Sequence, residues 1–124
     1  MKQSLFFVAF IFFFSTAALT QSLVGKWSGE FPGQNGQPAL KFTLTITENT
    51  YQFDMGMDGK VDVTGSYTSD GKQITIWDTA GENTCPSDQK GVYAYTLNGD
   101  TATFTKVSDA CAGRGDAPLV VKKM

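Results

Sequence analysis

Apolar and polar residues alternate along most of the chain after residue 22. In residues 40–46, for example, every second side chain is apolar and those between are Lys or Thr. This period of two is typical of β-strands with one buried face. No stretch in the same region repeats apolar residues at helical spacing, so the pattern predicts an all-β domain.

Eight segments carry the strand pattern, and tight-turn sequences separate several of them. Asp58-Gly59, Asp70-Gly71 and Asn98-Gly99 are hairpin signals, because the favoured two-residue turns need positive φ. The predicted strands cover residues 23–31, 40–48, 50–57, 60–68, 73–78, 91–97, 101–107 and 118–122. We expect an all-β, eight-stranded antiparallel up-and-down β-barrel, since closure removes exposed sheet edges. A β-sandwich is the alternative architecture.

The connections predict two different ends of such a barrel. Successive loops of a meander alternate between its ends. Three long connections, at residues 32–39, 79–90 and 108–117, fall at one end, which we call the loop-rich end. Tight turns near residues 49, 70–71 and 98–99 fall at the other, the narrow end. The connection at residues 58–59 is the one short turn expected at the loop-rich end.

The first twenty residues have the composition of a secretory signal peptide. Lys2 precedes an uninterrupted apolar run over residues 5–14, and small residues follow at 15–18. A membrane-spanning helix needs roughly 20 apolar residues, more than this run provides. We therefore expect residues 1–20 to be removed, leaving one exported domain of residues 21–124 that is secreted or periplasmic and does not span a membrane.

The chain has two cysteines, Cys85 and Cys111, which fall in two of the long loops at the loop-rich end. In an oxidising compartment such a pair usually forms a disulfide. Two free buried thiols are the alternative. The expected pairing agrees with the barrel, because the meander brings both loops to the same end.

The alternation also predicts which side chains point inward. Trp27, Tyr51 and Tyr67 are among those expected to fill the narrow end. Eight strands enclose a space that is either packed with side chains or wide enough for one small ligand. Eight inward residues are expected to line such a pocket near the loop-rich end: Phe31, Phe42, Met55, Met57, Val61, Ile76, Tyr93 and Tyr95. A solid core is the alternative.

Composition argues against several functions. The chain has no His, which removes the usual general base and the common zinc ligand. Its 10 basic and 12 acidic residues give a net charge of −2 without a basic cluster, so nucleic-acid binding is not expected. Five acids are expected as solvated groups near the loop-rich end: Asp78, Glu82, Asp88, Asp109 and Asp116. We predict no catalytic residues, no metal site and no cofactor. Arg114-Gly115-Asp116 spells an adhesion tripeptide, but an exposed polar loop explains it.

Short motifs resemble the lipocalin family, in particular small exported bacterial lipocalin-like domains. Gly25-Lys26-Trp27 resembles the family's G-x-W signature, and the stretch from Gly91-Val92-Tyr93 to Arg114 adds to the likeness. The resemblance implies that Trp27 closes the narrow end and that the ligand is small and apolar or amphipathic. In lipocalins an Arg near the last strand packs over this Trp, whereas here Lys122 and Lys123 stand in that region.

These observations lead to two functional hypotheses. The first is an exported, monomeric binding protein that holds a small apolar or amphipathic ligand at the open end of the barrel. The second is an inhibitor that binds a protein target through the disulfide-linked loops at residues 79–90 and 108–117. Trp77 is expected to point outward beside the first of these loops, as an anchor for a protein partner or covered by a loop.

Overall fold

The computed structural model describes residues 22–33, 35–82, 84–114 and 118–124. The predicted signal peptide lies outside these residues. Eight antiparallel strands form a closed barrel in the order in which they occur along the chain, which confirms the predicted fold class. The strands are β1 Gly25–Phe31, β2 Leu40–Ile46, β3 Thr50–Met55, β4 Val63–Ser69, β5 Gln73–Gly81, β6 Gly91–Asn98, β7 Thr101–Asp109 and β8 Leu119–Lys123.

The pairing between the first and last strands is the shortest part of the barrel wall. β1 pairs with β2 over seven residues, from Gly25 opposite Ile46 to Phe31 opposite Leu40. Its pairing with β8 joins only Trp27 to Lys123 and Ser28 to Lys122. The barrel is therefore closed at a short seam that lies towards the narrow end.

One connection differs from the prediction. β3 ends at Met55 and β4 begins at Val63, so residues 56–62 form a loop instead of a tight turn. The Asp54 carboxylate organises this loop by accepting hydrogen bonds from the backbone N–H groups of Asp58 and Gly59, at 3.0 and 2.8 Å. The alternating pattern around Asp58-Gly59 could not reveal this capping. The loop-rich end consequently carries four loops.

β5 and β7 extend two or three residues further than the alternation predicts. β5 continues past Asp78, which ends the predicted strand, to Gly81, and β7 reaches Asp109, which was expected in a loop. Both acids therefore lie on strands near the loop-rich end. Each extension is accompanied by a register shift, between Thr64 and Gly65 opposite β5 and between Val92 and Tyr93 opposite β7. A β-bulge of this kind re-aims the side chains that follow it.

Aromatic and aliphatic side chains fill the barrel along its axis. Trp27, Phe42 and Val121 are the largest fully buried side chains, with exposed fractions of 1%, 0% and 0%. Phe42 stacks on Phe31 with ring centroids 4.7 Å apart and meets Phe53 edge-on at 5.4 Å. The region that would hold a ligand in an open barrel is therefore occupied by these rings.

The described residues contain one short 3-10 helix, Ala112–Arg114, between β7 and β8. No helix in this part of the chain is long and apolar enough to cross a membrane.

Candidate binding site at the loop-rich end

A disulfide joins the two long loops of the loop-rich end. Cys85, in the loop before β6, is bonded to Cys111, which follows β7, and their Cα atoms are 6.1 Å apart. The predicted pairing is confirmed. A structural disulfide is typical of a protein from an oxidising, extracellular-type compartment.

A buried ionic network lies next to this disulfide. The Arg114 guanidinium, at the end of the 3-10 helix, donates a 2.6 Å hydrogen bond to Asp109 Oδ1 and lies 3.7 Å from Asp78 Oδ1. The exposed fractions of the three side chains are 11% for Arg114, 0% for Asp109 and 10% for Asp78. The expectation of solvated loop acids is wrong for Asp78 and Asp109, since both carboxylates point inward from strands.

Two tyrosine hydroxyls complete the network. Tyr51 on β3 donates a 2.7 Å hydrogen bond to Asp78 Oδ1, and Tyr93 on β6 donates one of 2.5 Å to Asp109 Oδ2. Arg114 also donates to the backbone carbonyl of Gln89 at 3.1 Å. The network thus links strands β3, β5, β6 and β7 with the loops on both sides of the disulfide.

Two glycines provide the space for these side chains. Gly65 is the β4 residue opposite Tyr51 and also opposite Asp78. A Cβ on Gly65 would overlap the ring and hydroxyl of Tyr51, so the absence of a side chain lets the ring cross the strand to reach Asp78. A Cβ on Gly91 would likewise overlap the Asp109 carboxylate on the opposite strand.

The network shifts the pKa values of two of its members, Tyr51 and Asp109. Burial, followed by the hydrogen bond to Asp78, raises the pKa of Tyr51 far above its usual value. Burial alone would raise the pKa of Asp109. The hydrogen bonds from Tyr93 and from the Cys111 amide, together with the charge of Arg114, lower the pKa of Asp109 below its usual value. Asp109 is therefore a carboxylate at neutral pH and Tyr51 a neutral phenol.

The backbone on each side of the disulfide is bound to the same carboxylates. The Cys85 amide donates to Asp78 Oδ2 at 3.0 Å, and the Cys111 amide donates to Asp109 Oδ1 at 2.8 Å. Each loop is consequently held twice, by the covalent bond and by a charged acceptor on a strand. This arrangement orders the loops. It also engages both carboxylates with donors from the protein itself.

The predicted pocket residues do not form one group. Phe42 is fully buried, while Phe31, Met55, Ile76 and Tyr93 are partly buried and pack against the core. Sequence reasoning placed two residues wrongly on the inner face. Met57 and Val61 lie in the loop between β3 and β4, with exposed fractions of 44% and 47%.

Tyr95 lies at the opposite end from the one predicted. Its amide donates to the carbonyl of Lys72, and its hydroxyl is 3.1 Å from the hydroxyl of Ser69, both beside the turn between β4 and β5. Because β6 pairs with β5 only through Gln73–Ile76, the second half of β6 extends past β5 at the narrow end. Tyr95 packs against the core, as its predicted inward orientation requires, but the stagger between β5 and β6 that sets its depth was not visible in the sequence.

Contacts at the narrow end give Gly25 and Trp27 of the Gly25-Lys26-Trp27 motif their structural roles. The Trp27 indole N–H donates to the Leu23 carbonyl at 2.9 Å, and Lys123 Nζ lies 4.7 Å from the centroid of the Trp27 ring. Lys123 also donates to the Val24 carbonyl at 3.1 Å. A Cβ on Gly25 would approach Lys123 Cε to 2.7 Å, so the glycine leaves the path over the indole open. A lysine thus occupies the place that the lipocalin resemblance assigns to an arginine.

The remaining sequence candidates lie on the surface. Glu82 and Asp88 are exposed, and Glu82 is 3.9 Å from Lys60 on the neighbouring loop. Trp77 points outward as predicted, and Lys90 covers its half-buried ring with Nζ 4.8 Å from the centroid. Asp116 lies outside the described residues. The expected exposed loop is wrong for Arg114, whose guanidinium is buried in the network.

Sequence reasoning missed a second group of acids. The carboxylates of Asp54, Asp58 and Asp62 lie within 4.8 Å of one another in the loop between β3 and β4. Backbone N–H groups supply hydrogen-bond donors to each of them, including the Met55 amide to Asp62 at 2.7 Å. These bonds give the cluster a role in shaping the loop. The spacing Asp54…Asp58-Gly59 was the available signal for it.

Comparison with protein-family models, with curated proteins and with solved structures finds no match to this chain.

Proposed function

We propose that this chain is an exported, lipocalin-like binding protein that engages a protein target through the loop-rich end. The observation that carries the proposal is the double attachment of the loops, by the disulfide and by the buried Asp78–Arg114–Asp109 network. Loops that are ordered before binding lose less conformational entropy when a partner docks, so more of the contact energy contributes to affinity. The proposed activity is inhibition or recognition and involves no catalytic step.

The surface charge at this end supports a basic target. The loop at residues 56–62 and the loop at residues 82–90 touch, since the Glu82 amide donates to the Asp62 carbonyl at 3.0 Å. Together these loops carry four acidic residues and two lysines. Both lysines are already engaged, Lys60 with Glu82 and Lys90 with Trp77. A complementary basic surface would be steered towards this rim, and its binding would weaken with salt.

Export to the periplasm or the medium is part of the same proposal. The predicted signal peptide and the disulfide support it, because the cytosol keeps most thiols reduced. The eight-stranded barrel and the G-x-W motif support membership of the lipocalin-like group.

A small apolar or amphipathic ligand at the barrel mouth is the second candidate function. The half-buried side chains of Phe31, Phe53 and Met55 favour it, because apolar groups at a barrel mouth can contact a guest. The filled interior behind them leaves such a guest only the rim.

The test uses two matched charge reversals in the mature protein. Asp88→Lys changes an exposed acid at the loop-rich end, and Glu48→Lys changes an exposed acid at the narrow end. The immobilised proteins are exposed to the extracellular protein fraction of the source organism. Any retained polypeptide is identified, purified and titrated against each variant. We expect Asp88→Lys to weaken binding and to flatten its salt dependence, and Glu48→Lys to leave both unchanged.

Two results would contradict the proposal. One is equal weakening by both variants, which would indicate non-specific charge attraction. The other is the retention of small molecules with no polypeptide, which would favour the second candidate.

A further inference from the structure

A groove on the outer wall of the barrel follows the seam between β1 and β8. It has a volume of about 630 Å³. Ser28 and Gly29 line it on β1, close to the two pairings that close the barrel. Ser28 is small and β1 pairs with β8 through only two residue pairs, so few side chains cover the outer wall at this point. Gly29 contributes only backbone to the groove, because a side chain there would point inward against Phe42.

Apolar side chains line this groove although it faces solvent. Met57 lines it from the loop between β3 and β4, and Val120 and Met124 line it from β8 and the residue after it. Their exposed fractions are 44%, 50% and 63%, which places them among the most exposed large hydrophobic residues of the described chain. Exposed apolar side chains that converge on one concave surface usually mark a contact site, whereas isolated ones need no explanation.

The charged residues around the groove favour an anion. Lys41 and Lys122 line it together with one acid, Glu30, and Lys41 is the cross-strand neighbour of Glu30. Lys122 is the cross-strand neighbour of Ser28, and Lys26 projects from the same outer face of β1 two residues before Ser28. Acidic residues outnumber basic ones in the whole chain, whereas on this face three lysines accompany one acid. Lysine stems can cover apolar surface while their ammonium groups stay at its edge.

We propose that this outer groove is a binding site for an anionic amphiphile with a single alkyl chain and a carboxylate head. The chain lies against Met57, Val120 and Met124, and the carboxylate pairs with Lys122. Chain burial supplies affinity and the lysine selects the charge of the head group. The site lies on the outer wall of the barrel and shares only Met57 with the loop at residues 56–62. Val120 and Lys122 lie on β8, outside the protein-binding surface proposed above, so substitutions there test the groove separately.

The experiment titrates the ¹⁵N-labelled mature protein with dodecanoate below its micelle-forming concentration, and in parallel with dodecylammonium and dodecyl maltoside. We expect saturable shifts of the Ser28, Gly29 and Lys122 amides with dodecanoate, and weaker binding of the other two compounds. Val120→Asp should weaken dodecanoate binding by about tenfold or more, since it puts a charge into the apolar lining. Lys122→Gln should weaken dodecanoate but leave dodecyl maltoside unchanged.

Val107→Asp is the matched control, because Val107 is an outward valine of similar exposure, 54%, on β7. It should leave dodecanoate binding unchanged. Equal losses from Val107→Asp and Val120→Asp would overturn the site, as would saturable shifts confined to core residues such as Phe42. Tighter binding of dodecylammonium than of dodecanoate would overturn the assigned charge. Failure to bind any of the three compounds would also reject the proposal, while the loop variants test the protein-binding surface separately.

Discussion

The Tyr51 hydroxyl donates a 2.7 Å hydrogen bond to Asp78 by crossing Gly65, the residue that lies opposite both of them. The contact joins β3 to β5 over a strand that has no side chain at this point. It anchors one carboxylate of the ionic network that organises the loop-rich end. The orientation of the loops therefore depends on a glycine in the barrel wall.

Gly65→Ala should destabilise the fold, because the added methyl group overlaps the Tyr51 ring. We expect a loss of about 1–3 kcal/mol in the free energy of unfolding, measured by urea denaturation. In a Tyr51→Ala background the same substitution should cost much less, since the methyl group then has space. Equal costs in the two backgrounds would show that Tyr51 is not the neighbour that excludes a side chain at position 65.

Tyr51→Phe should change the response of stability to alkaline pH. The pKa of Tyr51 is raised in the folded protein, mainly by burial and then by the hydrogen bond to Asp78. The unfolded chain therefore ionises first, and the contribution of Tyr51 is complete below pH 10.0 and is lost as the pH rises above it. The fall in unfolding free energy above pH 10.0 should be less steep in Tyr51→Phe, by about 1.4 kcal/mol per pH unit. Identical slopes in the two proteins would contradict the buried phenol.

Arg114→Leu should be among the most damaging single substitutions in the loops. It leaves the buried carboxylates of Asp78 and Asp109 without their cation, at an expected cost of about 3–5 kcal/mol in unfolding free energy. Adding Asp109→Asn should recover part of this loss, because it removes one of the two unpaired charges. Lys60→Ala, which breaks an exposed ion pair, is the control and should cost about 0–1 kcal/mol. Equal effects of Arg114→Leu and Lys60→Ala would mean that the network is solvated.

Lys123→Ala should loosen the narrow end without affecting the loops. The substitution removes the ammonium above the Trp27 ring and its hydrogen bond to Val24, with an expected cost of about 0.5–1 kcal/mol. In a Trp77→Phe background, where Trp27 is the one remaining indole, its fluorescence should shift towards that of a more hydrated ring. Lys122→Ala is the matched control and should leave the spectrum unchanged. A fluorescence shift of equal size in both variants would contradict the assignment of Lys123 as the lysine that covers the Trp27 ring.

The sequence predicted the barrel because the period of two in strands such as β2 and β7 is a local property of the chain. The disulfide was predictable for a related reason. Alternate loops of a meander lie at the same end, which places Cys85 and Cys111 near each other, and an oxidising compartment favours their pairing. The prediction failed where strand ends depend on side-chain capping. Asp54 accepts hydrogen bonds from the amides of Asp58 and Gly59, so the chain forms a loop where the pattern predicts a hairpin turn. Met57 and Val61 consequently lie in this loop and not on the inner face.

The ionic network was not predictable from the pattern. Asp78 is the last residue of one predicted strand and Asp109 lies two residues beyond another, positions where acids are ordinarily solvated. Their burial depends on two register shifts and on Arg114, which follows Asp109 closely but is distant in sequence from Asp78. Gly65 and Gly91 were the available signals, since a glycine inside a strand often marks a close approach of other groups.

The order of the loop-rich end is tested most directly by the hydrogen exchange of two backbone amides, those of Cys85 and Cys111, measured by NMR on the oxidised protein without residues 1–20. If the loop-rich end is ordered by the network, both amides remain bonded to buried carboxylates, and their exchange free energies should approach that of the core strands. In Arg114→Leu the protection of both should fall together, while amides of β2 keep theirs relative to global stability. Exchange of the Cys85 and Cys111 amides at the rate of exposed loop positions in the unmodified sequence would contradict the ordered loop surface on which the proposed function rests.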